Sequence, residues 1–398
     1  VTQKACKSLI VQKFGGTSVG SIERIHAVAE RVIEAKEAGS QLVVVVSAMA
    51  GETNRLLDLA QKIDSVPTDR ELDVLLSAGE QMSMALLAMT LNKLGHEAVS
   101  LTGWQAGIVT NQQFNNASID SIDTTRIQSL LEQDKIVIVA GFQGITDEGD
   151  ITTLGRGGSD TTAVALAGAL NATECQIFTD VDGVYSCDPR VVPEACRLHT
   201  IDFPTMEAMA KQGAKVLHLP SVQFAWKNRV PLRVLSSFTK QGGTLVTGEE
   251  CIHDISGIAL QRDLLHVQVA HEDLAALEKQ CYLLGIKVWT VISEAERAGV
   301  VIKQDAYAKL NLVFAEKIRN SVDVSSLTCV GNNVESVITK ANQLLGEYNI
   351  SVLATEPGIQ CLLMLFEPDL VNKAANIIHE HYVLANVKQK DPQKVVVS

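Results

Sequence analysis

Residues 42–46 read Leu-Val-Val-Val-Val, an unbroken β-branched run that follows Gly39. A half-exposed strand would alternate apolar and polar residues, so a continuous run of this length marks a strand covered on both faces. Such strands belong to parallel sheets with helices on either side. The neighbouring pattern agrees, since residues 8–14, 136–140 and 175–179 repeat the signature. Between them, residues 21–38 place Ile22, Ile25, Ala29, Val32 and Ile33 on one helical face, and Gly39 stops the helix. Residues 70–94, 160–170 and 203–212 also read as helices. The expectation is an α/β domain with a mostly parallel central sheet.

The pattern shortens after Ile258. Strand at 264–270, helix at 272–284, strand at 286–292 and strand at 300–303 are followed by a second set: strand 324–330, helix 334–348, strands 350–355 and 359–366, helix 368–381. Two βαββα units of α+β type point to an internal duplication. Residues 304–323 fit neither copy, and residues 388–398 form a polar tail. The division expected is residues 1–257, 258–323 and 324–398.

The charge balance narrows the partners. Lys plus Arg number 34 and Asp plus Glu 46, a net charge of −12, which disfavours nucleic acid. Aromatic residues make up 4%, too few for stacking platforms. No run approaches the ~18 apolar residues of a membrane span. The eight cysteines form no CxxC pair, which suits a reducing, cytoplasmic setting. The spacing of Cys187, Cys196 and His199 fits no common zinc pattern, and no metal ligands are assigned.

Three elements carry chemistry. Lys13-Phe14-Gly15-Gly16-Thr17-Ser18 closes the first strand and precedes the first helix. There two glycines let backbone N–H groups approach a phosphate, the helix adds its positive end and Lys13 a full charge. Leu154-Gly155-Arg156-Gly157-Gly158-Ser159-Asp160 again opens a helix, and Arg156 suits a carboxylate held through two parallel hydrogen bonds. Thr179 and Asp180, at a strand end before Asp182-Gly183, are placed for metal or ribose contacts. Each element alone is equally a tight turn, and Ser47 and Thr53 are equally helix or turn caps. The chain has neither a GxxxxGK[ST] loop nor a GxGxxG after its first strand.

Together the motifs resemble the amino-acid kinase family, and within it the aspartate kinases. The resemblance rests on KFGGTSVG (13–20), VVSAMAGETN (45–54), LSAGEQMS (76–83), LGRGGSDTTA (154–163), FTDVDGVYSCDPR (178–190), GAKVLH (213–218) and PLRVLSSF (231–238). It covers about residues 8–258 and implies transfer of the ATP γ-phosphate to the aspartate β-carboxylate, with Mg²⁺. By the same resemblance, Lys13, Phe14, Gly15, Gly16, Thr179, Asp180, Tyr185, Arg190, Lys215 and Val216 meet ATP. Ser47, Thr53, Glu80, Arg156, Ser159 and Asp160 line the aspartate pocket. Lys13, Arg156, Asp180 and Lys215 are the expected catalytic groups. Rival readings keep the fold with a different acceptor, or as an amino-acid sensor without turnover.

The C-terminal third is implied to hold two ACT units, which bind amino-acid effectors and pair subunits into a homodimer or higher homo-oligomer. The family's Asp-x-Pro-Gly turn is replaced here by Ala270-His271-Glu272-Asp273. The expectation is that feedback by lysine or threonine is altered or absent.

Overall fold

The computed structural model describes residues 7–214, 216–240, 242–248, 255–294, 296–332 and 334–384. The chain divides into two compact units. The first comprises Val1–Val184, Leu198–Phe203 and Val216–Glu249, the second Tyr185–Arg197, Pro204–Lys215 and Glu250–Ser398.

In chain order the elements up to residue 246 are β1 (Leu9–Phe14), α1 (Ile22–Glu37), β2 (Gln41–Val46), α2 (Glu52–Ile63), α3 (Asp69–Lys93), β3 (Ala98–Leu101), β4 (Ile108–Thr110) and β5 (Ile119–Ile122). They continue with α4 (Thr125–Glu132), β6 (Ile136–Ala140), β7 (Gln143–Ile145), β8 (Ile151–Thr153), α5 (Gly158–Ala169), β9 (Glu174–Thr179) and β10 (Thr200–Ile201). Then come α6 (Phe203–Lys211), α7 (Leu219–Lys227), β11 (Leu232–Ser236) and β12 (Thr244–Val246).

The first unit is built on an eight-stranded sheet of order β10-β12-β11-β9-β1-β2-β6-β3. All its pairings are parallel except β11 with β12. Residues Leu42 to Val46 and Ile136 to Ala140 are fully or almost fully buried, as unbroken apolar strands at a sheet centre must be. β1 lies between β2 and β9, so the Lys13 turn emerges at the carboxyl end of the sheet beside Phe178 and Thr179.

A second sheet of order β5-β4-β7-β8 is absent from the sequence reading. Its strands are three or four residues long, too short for a periodic signal. Helix α3 is long and apolar enough to cross a membrane, its best 18-residue window averaging a mean hydropathy of 1.4. No apolar run reveals it, because Ser, Gly, Gln and acidic residues are interspersed. Asp73 and Glu80 are buried on it against the protein, which identifies a core helix.

The second unit has β13 (Gly257–Val269), α8 (Leu274–Leu283), β14 (Thr290–Ile292), β15 (Gly299–Lys303), α9 (Gln304–Phe314), β16 (Ile318–Val330), α10 (Glu335–Glu347), β17 (Ala354–Pro357), β18 (Cys361–Phe366) and α11 (Val371–Ile378). They form one antiparallel sheet of order β14-β15-β13-β16-β18-β17. The unassigned residues 304–323 are α9, the last element of the first βαββα copy, and the start of β16. The two copies thus have the order expected of paired ACT units.

Four strands differ clearly in extent from the sequence reading. β13 and β16 are each 13 residues long and pair along their length, so each copy uses part of the other's long strand. The strand read at 286–292 is confined to 290–292, because Gly285 turns the chain and Ile286 packs into the helix-side core. The strand read at 350–355 becomes Ala354–Pro357, since Ile350 packs with α10 and α11 in that half's core.

Asp263, with φ 58°, sits in a bulge of β13 where Gln261 faces Ser326 and Leu264 faces Val324. The extra residue shifts side-chain parity by one, so Ile258 before it and Leu265 and Val267 after it lie on one side of the sheet. Thr290 Oγ1 donates to Glu356 although β14 and β17 are at opposite ends of the strand order. The sheet therefore folds over on itself and encloses Leu264, Ile292, Val301, Val324, Leu363 and Leu365.

Candidate active site

A cavity of about 580 Å³ opens in the first unit where the carboxyl ends of β1 and β2 meet α3 and the start of α5. That location follows from the topology, since parallel strands direct their following loops to one edge. Eight of the expected site residues line it: Lys13, Gly16, Ser47, Thr53, Glu80, Arg156, Ser159 and Asp160.

The glycine turn is fixed by its neighbours. Gly15 N donates to Phe178 O at 3.3 Å, and Ala50 N donates to Gly16 O at 3.1 Å. A Cβ on Gly16 would lie 2.9 Å from Ala48 O, so the β1 and β2 loops approach this closely only with glycine there. Helix α1 follows, its N-terminus capped by Ser21, and its positive end adds to the field near the turn. The Phe14 ring is buried and stacks on Phe178 with centroids 4.5 Å apart, leaving only the Phe14 backbone for a ligand.

Lys13 Nζ lies 2.6 Å from Asp160 Oδ1, and both side chains are mostly shielded from solvent. Asp160 occupies the first turn of α5, where the helix dipole favours an anion. The pair places an ammonium inside the cavity wall beside the N-terminus of a helix. Gly157, the N-cap, has φ 72°, and a Cβ there would lie 2.2 Å from the His218 ring. The loop carrying Arg156 is thus held by His218 and needs glycine twice over, for its backbone angle and for space. Arg156 itself is exposed and, among the described residues, has no carboxylate partner. Its guanidinium is available to an incoming anion.

Glu80 is buried on α3. Its Oε1 accepts from Ala48 N at 3.1 Å, while Oε2 has no partner. Burial raises its pKa from the ordinary value of 4.5 to about 7. A carboxylate with one unused buried oxygen is suited to a cationic ligand group such as an ammonium. Gly51, not Thr53, is the N-cap of α2, and Ser47 follows the end of β2, so neither hydroxyl caps this helix.

The nucleotide residues expected from the sequence separate into groups. Thr179 and Asp180 sit at the end of β9 beside Gly15, with Thr179 Oγ1 donating to Asp180 at 3.0 Å. They are outside the lining of the cavity, as are Gly15 and Val216. Tyr185 and Arg190 belong to the second unit, where Arg190 pairs with Asp188 at 2.8 Å and Tyr185 bridges to Arg197. Lys215 lies outside the described residues. No group of three or more His, Cys, Asp or Glu side chains suited to a metal occurs among the described residues.

Sequence reasoning missed several lining residues. Asn115, Phe142 and Thr153 come from the short-stranded second sheet and its connections, and Leu57, Leu72 and Leu76 from α2 and α3. It also missed Asp73, fully buried on α3 two turns before Glu80. Two acidic residues seven apart on one helical face were the signal available.

Comparison with known proteins gives a consistent picture. Residues 8–236 match the family model described as the amino acid kinase family. The chain is 60% identical over 260 residues to an aspartate kinase of Pseudomonas putida, covering 64% of this chain and 63% of that one. It is 53% identical over 401 residues to an aspartokinase of Bacillus sp. strain MGA3, covering 95% of this chain and 98% of that one. Aspartokinase III of E. coli, solved with aspartate and ADP, is 25% identical with a TM-score of 0.75; solved with lysine and aspartate, it is 26% identical with a TM-score of 0.78. Both structures cover 94% of this chain and 99% of their own.

Proposed function

The chain belongs to the amino acid kinase family, and on that premise we propose that it is an aspartate kinase, transferring the ATP γ-phosphoryl group to the β-carboxylate of L-aspartate to give 4-phospho-L-aspartate. That reaction opens the route to lysine, threonine and methionine. The observation that carries the reading is the cavity itself. It combines a shielded Lys13 beside a glycine turn, an unpaired Arg156 and a buried Glu80 with one unused oxygen. This set complements a molecule with two carboxylates and one ammonium next to a polyphosphate.

The chemistry needs no general base. A β-carboxylate with a pKa near ~4 is already ionised at neutral pH. The barrier is the approach of two anions, and the site answers it electrostatically. Lys13 neutralises charge on the transferring phosphoryl, and Gly16, at the cavity wall, lets the phosphates approach the backbone closely, while the Gly15 N–H is spent on Phe178 O. Arg156 holds the substrate α-carboxylate through parallel hydrogen bonds. Glu80, with Ser47, Thr53, Ser159 and Asp160 around it, receives the α-ammonium. Thr179, Asp180, Tyr185, Arg190, Lys215 and Val216 are assigned to the nucleotide. Mg²⁺ arrives with ATP, and the exposed Asp180 carboxylate beside the glycine turn is a hard oxygen donor of the kind it prefers. Bound there, the ion supplies further positive charge to the phosphates.

Residues 1–257 form the kinase part on this reading, and residues 258–323 and 324–398 the two ACT units. The shared long strands β13 and β16 support treating the two as one regulatory body, which the family resemblance implies pairs in a homodimer or higher homo-oligomer. The E. coli neighbour was solved with lysine, so an amino acid is the class of effector to test. The six described cysteines are all free, which favours a reducing, cytoplasmic compartment.

The test is ATP-dependent formation of acyl phosphate from L-aspartate, trapped with hydroxylamine, with lysine and threonine added in turn. Hydroxamate from aspartate and none from glutamate is expected. No hydroxamate from aspartate overturns the reading. Strong inhibition by low lysine or threonine overturns the expectation of altered feedback drawn from residues 270–273.

A further inference from the structure

Asp73 is 0% exposed, yet among the described residues its carboxylate has no cation beside it. Its partners are donors from two other segments. Asn115 N donates to Oδ1 and Oδ2 at 3.1 and 2.9 Å. Thr153 N donates to Oδ2 at 2.9 Å, and Thr153 Oγ1 to Oδ1 at 2.6 Å. Burying an ionisable group this deeply is costly, and an apolar core gives no reason for it.

Both partners line the cavity. Thr153 ends β8, three residues before Arg156. Asn115 lies in the loop between β4 and β5 with φ 62°. The two segments also touch beyond the carboxylate: a Cβ on Gly155 would fall 2.8 Å from Asn116 Oδ1 and 3.2 Å from Asn115 O. The Asn115 side chain donates to Asp69, one turn earlier on α3, at 2.7 Å. The loop that carries Arg156 is therefore tied to α3 through one carboxylate, while Glu80 on the same helix ties down Ala48 across the cavity.

We propose that Asp73 is a positioning residue for the substrate loop: by fixing Thr153 and Asn115 against α3, it sets where Arg156 meets the substrate carboxylate. The inference rests on reading the cavity as the aspartate site. An amide in its place cannot do the same. It keeps one accepting oxygen and turns an NH₂ toward a group that is itself a donor. The glycine turn at Lys13 is held by separate bonds to Phe178 and Ala50, so the phosphate side is unaffected.

The test compares the full-length chain with Asp73→Asn, Thr153→Val and Thr153→Ser. Kinetics by hydroxamate trapping are combined with amide hydrogen exchange. Asp73→Asn is expected to raise the aspartate KM about 10-fold or more, with the ATP KM within about 2-fold of its original value. Exchange is expected to quicken in residues 111–117 and 151–158 and nowhere else. Thr153→Val is expected to act in the same direction by about 3-fold, and Thr153→Ser to restore the parent values. It carries the test if Asp73→Asn does not fold. An unchanged aspartate KM, or both KM values rising together, overturns the proposal. A parent enzyme that gives no hydroxamate overturns the aspartate reading instead. Exchange then still decides on Asp73, and unchanged protection in both segments overturns its role.

Discussion

Among the described residues, the two buried acidic side chains, Asp73 and Glu80, both belong to the first unit. Among its described residues the second unit buries no Asp, Glu, Lys or Arg; its ionisable interior side chains there are histidines and cysteines, such as His266 and His379. His379 is held neutral, with its Nε2 2.8 Å from Ser186 Oγ, and burial lowers its pKa to about 4. The second unit has the interior of a structure optimised for packing. The first retains desolvated charge at one place, around the cavity. Groups of that kind destabilise a fold unless something binds there, which is why they mark functional sites.

The largest expected effect tests whether that charge is functional at all. Lys13→Ala is expected to lower acyl-phosphate turnover by about 10³-fold or more, because one preorganised charge at the developing transition state is worth that much. Circular dichroism is expected to stay native. If turnover persists while stability falls, the Lys13–Asp160 pair is architectural and the contrast between the units loses its meaning.

Glu80 gives the next effect. Its folded pKa lies above its ordinary value of 4.5 at about 7, so the folded state holds a proton that the unfolded chain releases. Stability is greatest below the ordinary value and falls as pH rises toward the folded one. Glu80→Gln is expected to flatten that slope in urea titrations between pH 4.5 and 7 while raising the aspartate KM about 10-fold. Aspartate binding near neutral pH is also expected to release a proton, visible as a calorimetric enthalpy that changes with buffer. Buffer-independent heat would remove Glu80 from the ammonium site.

His379 gives the smallest effect, and with the opposite sign. Its folded pKa is depressed, so its contribution is complete above its ordinary value of 6.5 and is lost as pH falls toward 4. His379→Gln keeps a hydrogen-bonding group without the titration, and is expected to move the acid unfolding midpoint down by about half a pH unit. No change in substrate KM is expected. A KM change would show that the second unit's interior is not merely packing.

Much of the first unit was legible because its signals are local. The run at 42–46 identified a central parallel strand, and the glycines at 15–16 and 155–158 identified loops at the sheet's carboxyl edge. Eight expected site residues do line one cavity. The sheet β5-β4-β7-β8 was not legible, since three-residue strands carry no period, and with it went Asn115 and Thr153. In the second unit the order of elements was readable apart from α9, but the exchange of strand length between the copies was not. A βαββα pattern has the same periodicity whichever half-strand it pairs with.

The sequence by itself therefore determined the long strands of the core sheet and the helices beside them, that this sheet is parallel, and which residue types gather around a phosphate and a carboxylate. Those are consequences of spacing along the chain. The tertiary structure alone decided that Asp73 and Glu80 face inward rather than to solvent, that one bulge at Asp263 aligns two halves of a sheet, and that β14 and β17 meet through Thr290 and Glu356. Burial, register and contact depend on residues distant in the chain, and desolvation, which gives Glu80 its altered proton affinity, exists only once those residues have closed around it.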